Sequence, residues 1–205
     1  MPSKNVIKTD VAESYYHVYF RGANKAKIFR EPSDYEKMLQ LFSRYLSLKE
    51  AKNSAGISFP NYSNRLELLA FCFMPNHVHL FIYQHQQGVM TEFMRSVLTS
   101  YSMYFNKKYK RTGPLFESRF KASLITNDAY FQHISRYIHL NPRNWRTYEY
   151  SSLPYYLHQV TDEWIVPRKI IDDFESSTEY LKFLENYEEA KEMIDILKHE
   201  LASLE

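Results

Sequence analysis

Apolar residues recur along the first two thirds of the chain with two different periods. Four short runs rich in aromatic and β-branched residues predict strands at residues 15–20, 66–73, 77–83 and 120–125. Two longer stretches, 32–51 and 90–109, carry apolar residues at helical spacing. A Met-Pro-Asn turn at residues 74–76 joins the middle strands into a hairpin. The predicted order is therefore β-α-β-β-α-β.

That order is the one of the ferredoxin-like split βαβ unit. It predicts an α+β fold with a four-stranded, mainly antiparallel sheet and two helices on one face. An added helix at residues 128–141 can be capped by Asn127 or Asp128, and Pro142 disfavours its continuation. An irregular, tyrosine-rich stretch then leads to an acidic helix at about 175–204. We divide the chain into a main domain, 1–155, and an acidic helical extension, 156–205.

The acidic helix carries an apolar stripe at alternating spacings of three and four, the a/d pattern of coiled coils. Three interpretations stay open: a coiled-coil contact between two copies, a short intramolecular hairpin, or a helix packed on its own domain. Packing on the own domain is the more common use of a single stripe. The stripe comprises Tyr180, Phe183, Tyr187, Ala190, Ile194, Leu197, Leu201 and Leu204.

Charge is divided unevenly along the chain, although the net charge is only +2. Residues 1–144 hold 20 Lys and Arg against 10 Asp and Glu, whereas residues 145–205 hold 6 against 14. The basic part favours a polyanionic partner. A single cysteine, Cys72, excludes an intramolecular disulfide. With no signal-peptide pattern and no apolar run of about 20 residues, we expect a cytoplasmic protein without a membrane partner.

The sharpest local pattern is the pair His77 and His79 on the second strand of the predicted hairpin. Alternate residues of a strand share a face, so both imidazoles point the same way while Val78 points into the core. Two imidazoles about 6–7 Å apart along a strand can bind one divalent ion. Surface or hydrogen-bonded histidines remain the alternative.

The helix at 128–141 offers a third ligand and a nucleophile. Tyr130, His133, Tyr137 and Asn141 lie along one stripe of it. An amide oxygen from Asn141 suits Mg²⁺ or Mn²⁺. The same residues could instead be a structural tyrosine and a helix C-cap, which are common.

Four motifs, taken together, resemble one family. They are Y-H-V-Y-F-R-G-A-N-K-A-K-I-F at 16–29, F-M-P-N-H-V-H-L at 73–80, G-P-L-F-E-S-R-F-K-A at 113–122 and R-Y-I-H-L-N-P-R at 136–143. They are similar to the successive motifs of the single-tyrosine HUH transposases, in particular the REP-associated tyrosine transposases, relatives of the insertion-sequence enzymes that move as single strands. The resemblance covers roughly residues 12–155 and makes residues 1–155 the expected HUH catalytic domain.

The resemblance implies a metal-dependent transposase that cuts and rejoins single-stranded DNA near hairpins through a 5′-phosphotyrosine link, in DNA transposition or REP-element mobilisation. It assigns His77, His79 and Asn141 to a Mg²⁺ or Mn²⁺ ion and Tyr137 to the nucleophile. His133, one turn earlier, is a candidate base. A free tyrosine has a pKa near 10 and needs activation. The implied setting is the cytoplasm, with nucleoid association when bound to DNA, and a homodimer with exchanged tyrosine helices is one of the known arrangements.

Basic residues near these motifs are the expected DNA contacts, since Lys and Arg meet backbone phosphates. Solvated strand and loop ends are the alternative for them. The set is Lys107, Lys108, Lys110, Arg111, Arg119, Lys121 and Arg136.

Three other functions compete with the transposase interpretation. A ferredoxin-like sheet with surface aromatics could be a non-catalytic, single-stranded nucleic-acid-binding regulator, although the aromatic signature of RNA-recognition domains is not evident. A hydrolytic phosphodiesterase would use the same metal site with Tyr137 as a structural residue. A transposon-derived regulator would use its C-terminal helix to recruit a protein partner.

Overall fold

The computed structural model describes residues 10–126 and 128–186. The strands are β1 (Ser14–Arg21), β2 (Leu66–Met74), β3 (His77–Gln84) and β4 (Lys121–Ile125). The helices are α1 (Pro32–Leu46), α2 (Val89–Lys108), α3 (Asp128–His139), α4 (Leu153–Tyr156), α5 (Arg168–Ile171) and α6 (Ser177–Glu185), with 3-10 turns at Ala23–Lys25 and Trp145–Thr147.

The four strands form one sheet in the order β2-β3-β1-β4, and every neighbouring pair is antiparallel. This order, with α1 and α2 as the two crossovers, confirms the predicted ferredoxin-like α+β fold. The predicted first helix is shorter than expected, because Ser47 has extended backbone and α1 ends at Leu46.

The main core lies between the sheet and the helices α1 and α2. Alternate strand residues such as Val18, Leu80 and Phe73 point into it and are fully buried. Asp34 ties the two helices together there: its buried carboxylate accepts hydrogen bonds from the hydroxyl of Tyr109 and the ammonium of Lys108. This face of the sheet therefore has a structural role.

The opposite face of the sheet is covered by α3 and by the chain that follows it. Ile134 and Ile138 of α3 are fully buried against this face. The segment after α3 also packs on the sheet: the backbone N–H of Val166 donates to Leu68, and that of Ser152 donates to Phe71. The candidate residues His77 and His79 of β3 and Tyr137 of α3 consequently lie between the sheet and α3.

The acidic C-terminal helix differs from its prediction. It begins at Ser177, capped by the hydroxyl of Ser176, and ends at Glu185, because Asn186 leaves helical geometry. Tyr180 is buried against the chain's own domain. The rest of the predicted stripe, from Tyr187 onward, lies outside the described residues, so its coiled-coil interpretation and the division at residue 155 stay predictions.

The loop at residues 22–29 is hydrogen-bonded to the turn that precedes β3. The backbone N–H of Gly22 donates to Asn76, and those of Ile28 and Phe29 both donate to Pro75. Gly22 is required by close approach, because a Cβ there would lie 2.1 Å from the carbonyl oxygen of Ala26. The loop thus fixes the turn from which the histidine strand starts.

In residues 10–126 and 128–186, no helix is both long enough and apolar enough to cross a membrane.

Candidate active site

Two neighbouring strands supply the side chains of the site. In the antiparallel register, His79 lies directly opposite Tyr19, and His77 lies opposite Arg21. Directly opposed residues share a face of the sheet, and His17 follows on that face two residues before Tyr19. The face is the one covered by α3. The predicted alternation of His77 and His79 toward one side is confirmed.

His77 is held at both ring nitrogens. Its Nδ1 lies 2.7 Å from Oδ1 of Asn76, and its Nε2 lies 3.3 Å from Oδ1 of Asn141. The amide of Asn76 is oriented, because its Nδ2 donates to the carbonyl of Lys25 at 3.2 Å. The Nδ1–H of His77 therefore donates to Asn76, and Nε2, which carries the lone pair of the neutral ring, is directed at Asn141.

His79 is buried and contacts a second histidine. Its Nδ1 lies 2.9 Å from Nε2 of His17, and the two rings stack with centroids 5.1 Å apart. Burial lowers the pKa of His17 to about 3. Burial, followed by the proximity of His17 and His77, lowers the pKa of His79 well below its usual value. Both rings are consequently neutral near pH 7, as ligands of a metal ion must be.

Tyr137 of α3 stands over these rings. Its ring meets His79 edge to face at 5.3 Å between centroids and His17 at 5.7 Å. One turn later, just past the end of α3, Asn141 reaches His77. The predicted stripe of Tyr137 and Asn141 therefore meets the histidine pair within a single chain.

The distance between two of the proposed ligand atoms suits a shared divalent ion. Nε2 of His77 and Oδ1 of Asn141 are both lone-pair donors, and they face each other at 3.3 Å. Two ligands that each bind a shared ion at about 2.1 Å at right angles lie about 3 Å apart. No three His, Cys, Asp or Glu side chains group to hold a metal within the described ranges, so a metal here depends on the Asn141 amide as third ligand.

His133 and Arg136 face the C-terminal segment. Nη1 of Arg136 lies 3.2 Å from Nδ1 of His133, and its guanidinium lies over the ring of Phe183 at 3.5 Å. Arg136 is fully buried in this arrangement, and its contact with DNA phosphates stays a prediction. Since the guanidinium can only donate, the Nδ1 of His133 is occupied as an acceptor, which weighs against a role as base.

The predicted DNA contacts are spread over both faces of the sheet. Lys108 is paired with Asp34 and Glu31 at 2.6 Å each, on the layer of α1 and α2. Arg111 donates to the side chain of Asn106. Lys107 and Lys110 are exposed at the end of α2. Arg119 is also exposed and lies two residues before β4.

Lys121 is the basic residue of this set that the register places nearest the histidines. It opens β4 directly opposite Tyr19, whose ring contacts His79 at 5.0 Å between centroids. The seven basic residues therefore do not form one groove. Lys121 is the member at the site's edge of the sheet, whereas Arg119 lines a cavity beside α2.

Sequence reasoning missed His17, Tyr19 and Asn76. The signal for His17 was present, because it alternates with Tyr15 and Tyr19 on the first strand and is the single ionisable imidazole there. Its partner could not be named without the register between β1 and β3.

Comparisons with known proteins bear on the family and the fold of the chain. A family model described as IS200-like transposase matches residues 10–141. A solved structure of a REP-associated tyrosine transposase bound to a REP hairpin is similar in fold, with a TM-score of 0.53 and 13% sequence identity over 82% of this chain and 93% of that one. No curated protein matched the chain.

Proposed function

The chain belongs to the family of IS200-like transposases, and from this premise we propose that it cuts and rejoins single-stranded DNA with Tyr137 as the nucleophile. The family supports a transposase that acts on DNA; the covalent mechanism is our proposal. The single observation that carries it is the contact of Tyr137 with His79 and His17, at 5.3 and 5.7 Å between ring centroids. A tyrosine with only a structural role has no need to meet two neutral, buried imidazoles.

The proposed reaction is a transfer between phosphoester bonds. The hydroxyl oxygen of Tyr137 attacks a backbone phosphorus; a bond from this oxygen to phosphorus forms, and the bond from phosphorus to the 3′-oxygen breaks. The 3′-oxygen leaves with a proton as a free hydroxyl, and the 5′ end stays on the tyrosine. A second 3′-hydroxyl reverses the step, so the phosphodiester energy is conserved and no high-energy cofactor is needed.

His77, His79 and Asn141 are the proposed ligands of a divalent ion, Mg²⁺ or Mn²⁺. Such an ion supplies charge stabilisation to the phosphate oxygens as negative charge develops. The protein's own contribution is orientation: Asn76 holds the His77 ring, and the sheet holds both histidines on one face. The proton of Tyr137 passes to a base that we leave open, because the contact of Arg136 with His133 weighs against the predicted candidate.

Single-stranded DNA with hairpins is the proposed substrate, in transposition or REP-element mobilisation. The similar solved protein is bound to a REP hairpin. The excess of basic residues in the first 144 positions favours a polyanion. Lys121 is the proposed phosphate contact at the site, because it lies opposite Tyr19 at the edge of the sheet. Arg119, two residues earlier and exposed beside α2, is the proposed contact next to it.

A gel assay for a covalent adduct tests the proposal. The protein is incubated with Mn²⁺ and labelled hairpin DNA taken from the sequence that flanks the gene. We expect a denaturant-resistant protein–DNA band that is lost in Tyr137→Phe and His77→Ala. Tyr150→Phe is the matched control, because Tyr150 stacks on Tyr35 in the other layer, and it should keep the band.

Other outcomes assign other functions. DNA cleavage without an adduct would indicate a hydrolytic nuclease. Tight binding of hairpin DNA without cleavage, unchanged in Tyr137→Phe, would indicate a non-catalytic regulator. A band that survives Tyr137→Phe would move the nucleophile to another tyrosine.

A further inference from the structure

Two buried polar atoms on neighbouring strands have no partner in the described part of the chain. They are Nδ1 of His17 and the hydroxyl oxygen of Ser123. His17 and Ser123 lie directly opposite each other in the register of β1 and β4. Directly opposed residues share a face, with Cβ atoms about 4.5–5.5 Å apart. Both unpartnered atoms therefore lie close together on the face of the sheet that carries the site.

Buried polar groups are almost always hydrogen-bonded, and a pair of unpartnered atoms this close calls for a shared explanation. A Ser hydroxyl can donate and accept, and it rotates to suit its neighbour. Because each atom lacks a partner, the two do not bond each other directly. One water between the Ser123 hydroxyl and Nδ1 of His17 satisfies both atoms at once.

The other nitrogen of His17 faces a proposed metal ligand. Nε2 of His17 lies 2.9 Å from Nδ1 of His79, so one hydrogen is shared between two neutral rings. If His79 donates, its Nε2 carries the free lone pair that a metal needs, and the hydrogen of His17 sits on Nδ1, next to Ser123. If His17 donates, the hydrogen of His79 sits on Nε2 and blocks coordination.

We propose that Ser123, His17 and His79 form a hydrogen-bonded chain in which His17 is the positioning residue that presents Nε2 of His79 to the metal. This inference rests on the proposed metal site and adds residues to it. The metal requires one direction: Nδ1–H of His79 donates to Nε2 of His17, because only then does Nε2 of His79 keep its lone pair. The hydrogen of His17 then lies on Nδ1 and is directed through one water to the Ser123 hydroxyl.

The ring of His77 is oriented in a comparable way, by Asn76. Asn76 accepts from its Nδ1 and is itself anchored by the carbonyl of Lys25. Each proposed histidine ligand thus has its outer nitrogen engaged by a side chain. Such partners fix the tautomer and ring orientation of ligating histidines, and their removal costs about 10–100-fold in metal affinity.

The experiment measures Mn²⁺ affinity by calorimetry in variants of His17. His17→Leu fills similar volume without an acceptor, and we expect its Mn²⁺ affinity to fall about 10–100-fold. His17→Gln offers an amide oxygen to His79 and should recover most of that loss. His139→Gln is the matched control, because His139 is equally buried but bonds Tyr180 and Ser152 away from the site; its Mn²⁺ affinity should match the wild type.

A second readout does not involve the metal. Long-range ¹H–¹⁵N spectra of the metal-free protein report which nitrogen of each histidine is protonated. We expect His79 and His17 protonated at Nδ1, and a shift of the His17 signals in Ser123→Ala. Protonation of His79 at Nε2, or His17→Leu with wild-type Mn²⁺ affinity, would overturn the proposal.

The two readouts separate this inference from the proposed function. A wild-type protein that binds no Mn²⁺, in which His77→Ala changes nothing, would remove the metal site. The tautomer of His79 would then test His17 on its own: protonation of His79 at Nδ1 would support its orientation by His17, and protonation at Nε2 would contradict it.

Discussion

Tyr137 and His79 of the same chain meet edge to face, with 5.3 Å between ring centroids and 87° between ring planes. Tyr137 comes from α3 and His79 from β3, and α3 packs on that face through Ile134 and Ile138. The proposed nucleophile thus reaches the proposed ligand without a helix from another subunit. Each chain carries a full set of the proposed groups.

This geometry predicts that two inactive variants do not complement each other. Tyr137→Phe lacks the nucleophile, and His77→Ala lacks a ligand. Because both groups of one site come from one chain, an equimolar mixture should form no covalent DNA adduct beyond the sum of the separate variants. The measurement is the gel assay after co-refolding of the two proteins.

Recovery of adduct in the mixture would contradict this prediction, because it requires a site composed from two chains with exchanged α3 helices. The control is a mixture of wild type with Tyr137→Phe, which should give the adduct expected from the wild-type fraction alone.

Much of this arrangement follows from sequence periods. The period of two in β3 places His77 and His79 on one face, and the period of 3.6 in α3 places Tyr137 and Asn141 one turn apart. That Asn141 then lies 3.3 Å from His77 depends on packing, but the residues were identifiable beforehand. The element order was sufficient for the topology, because few ways exist to close such a sheet.

Other features depend on register and burial, which a single sequence does not carry. His17 becomes part of the site because β1 is paired beside β3. Arg136 and Lys108 read as surface cations, yet one is buried beside Phe183 and the other is paired with Asp34. Long cationic side chains can reach either solvent or a neighbour, so local pattern does not decide between them.

Gly22 offers a test of whether the loop at residues 22–29 holds the turn before β3 in place. A Cβ at this position would lie 2.1 Å from the carbonyl oxygen of Ala26, so Gly22→Ala must displace the backbone of the loop. We expect a loss of about 1–3 kcal/mol in the free energy of unfolding. Because the same loop anchors Asn76 through Lys25, Mn²⁺ affinity should fall as well.

The control for this change is Gly56→Ala, in an exposed turn. Gly56 has φ of +78° but no atom within 4 Å of an added Cβ. The variant should lose only about 1–2 kcal/mol, from backbone strain alone, and keep wild-type Mn²⁺ affinity. Equal effects of both variants on Mn²⁺ affinity would show that the loop does not position Asn76. Urea unfolding and calorimetry give the two quantities.

His139 predicts part of the acid sensitivity of the fold. It is fully buried between Tyr180 and Ser152, and burial lowers its pKa to about 3 from an unfolded value of about 6.5. The unfolded chain therefore binds one more proton between these values. The contribution of His139 to stability is complete above pH 6.5 and is lost as the pH falls toward 3.

The corresponding measurement is urea unfolding of wild type and His139→Gln at pH 4 to 8. Between pH 4 and 6, the free energy of unfolding of the wild type should change more steeply, by about 1.4 kcal/mol per pH unit. Above pH 7 the two slopes should coincide. Parallel curves throughout the range would mean that His139 is protonated equally in both states.

Arg119 and Arg136 separate a proposed DNA contact from a structural cation. Arg119 is exposed two residues before β4 and lines a cavity with Arg95 and Ser102 of α2. Arg136 is fully buried, with its guanidinium over the ring of Phe183 and a hydrogen bond to the carbonyl of that residue. The two side chains carry the same charge in opposite surroundings, so their removal should affect different quantities.

Arg119→Ala should weaken binding of hairpin DNA and lower the slope of log affinity against log salt by about 1, with unchanged unfolding. Arg136→Met should lose roughly 2–4 kcal/mol of stability, because it removes a buried guanidinium together with its contacts to the ring and the carbonyl of Phe183. Below its unfolding temperature, the Arg136 variant should keep the wild-type salt slope, because a buried guanidinium releases no counterion from DNA. Fluorescence anisotropy across a salt series, together with thermal unfolding, measures both. A reduced salt slope in Arg136→Met would mean that α6 leaves Arg136 when DNA binds, and that the guanidinium then reaches a phosphate.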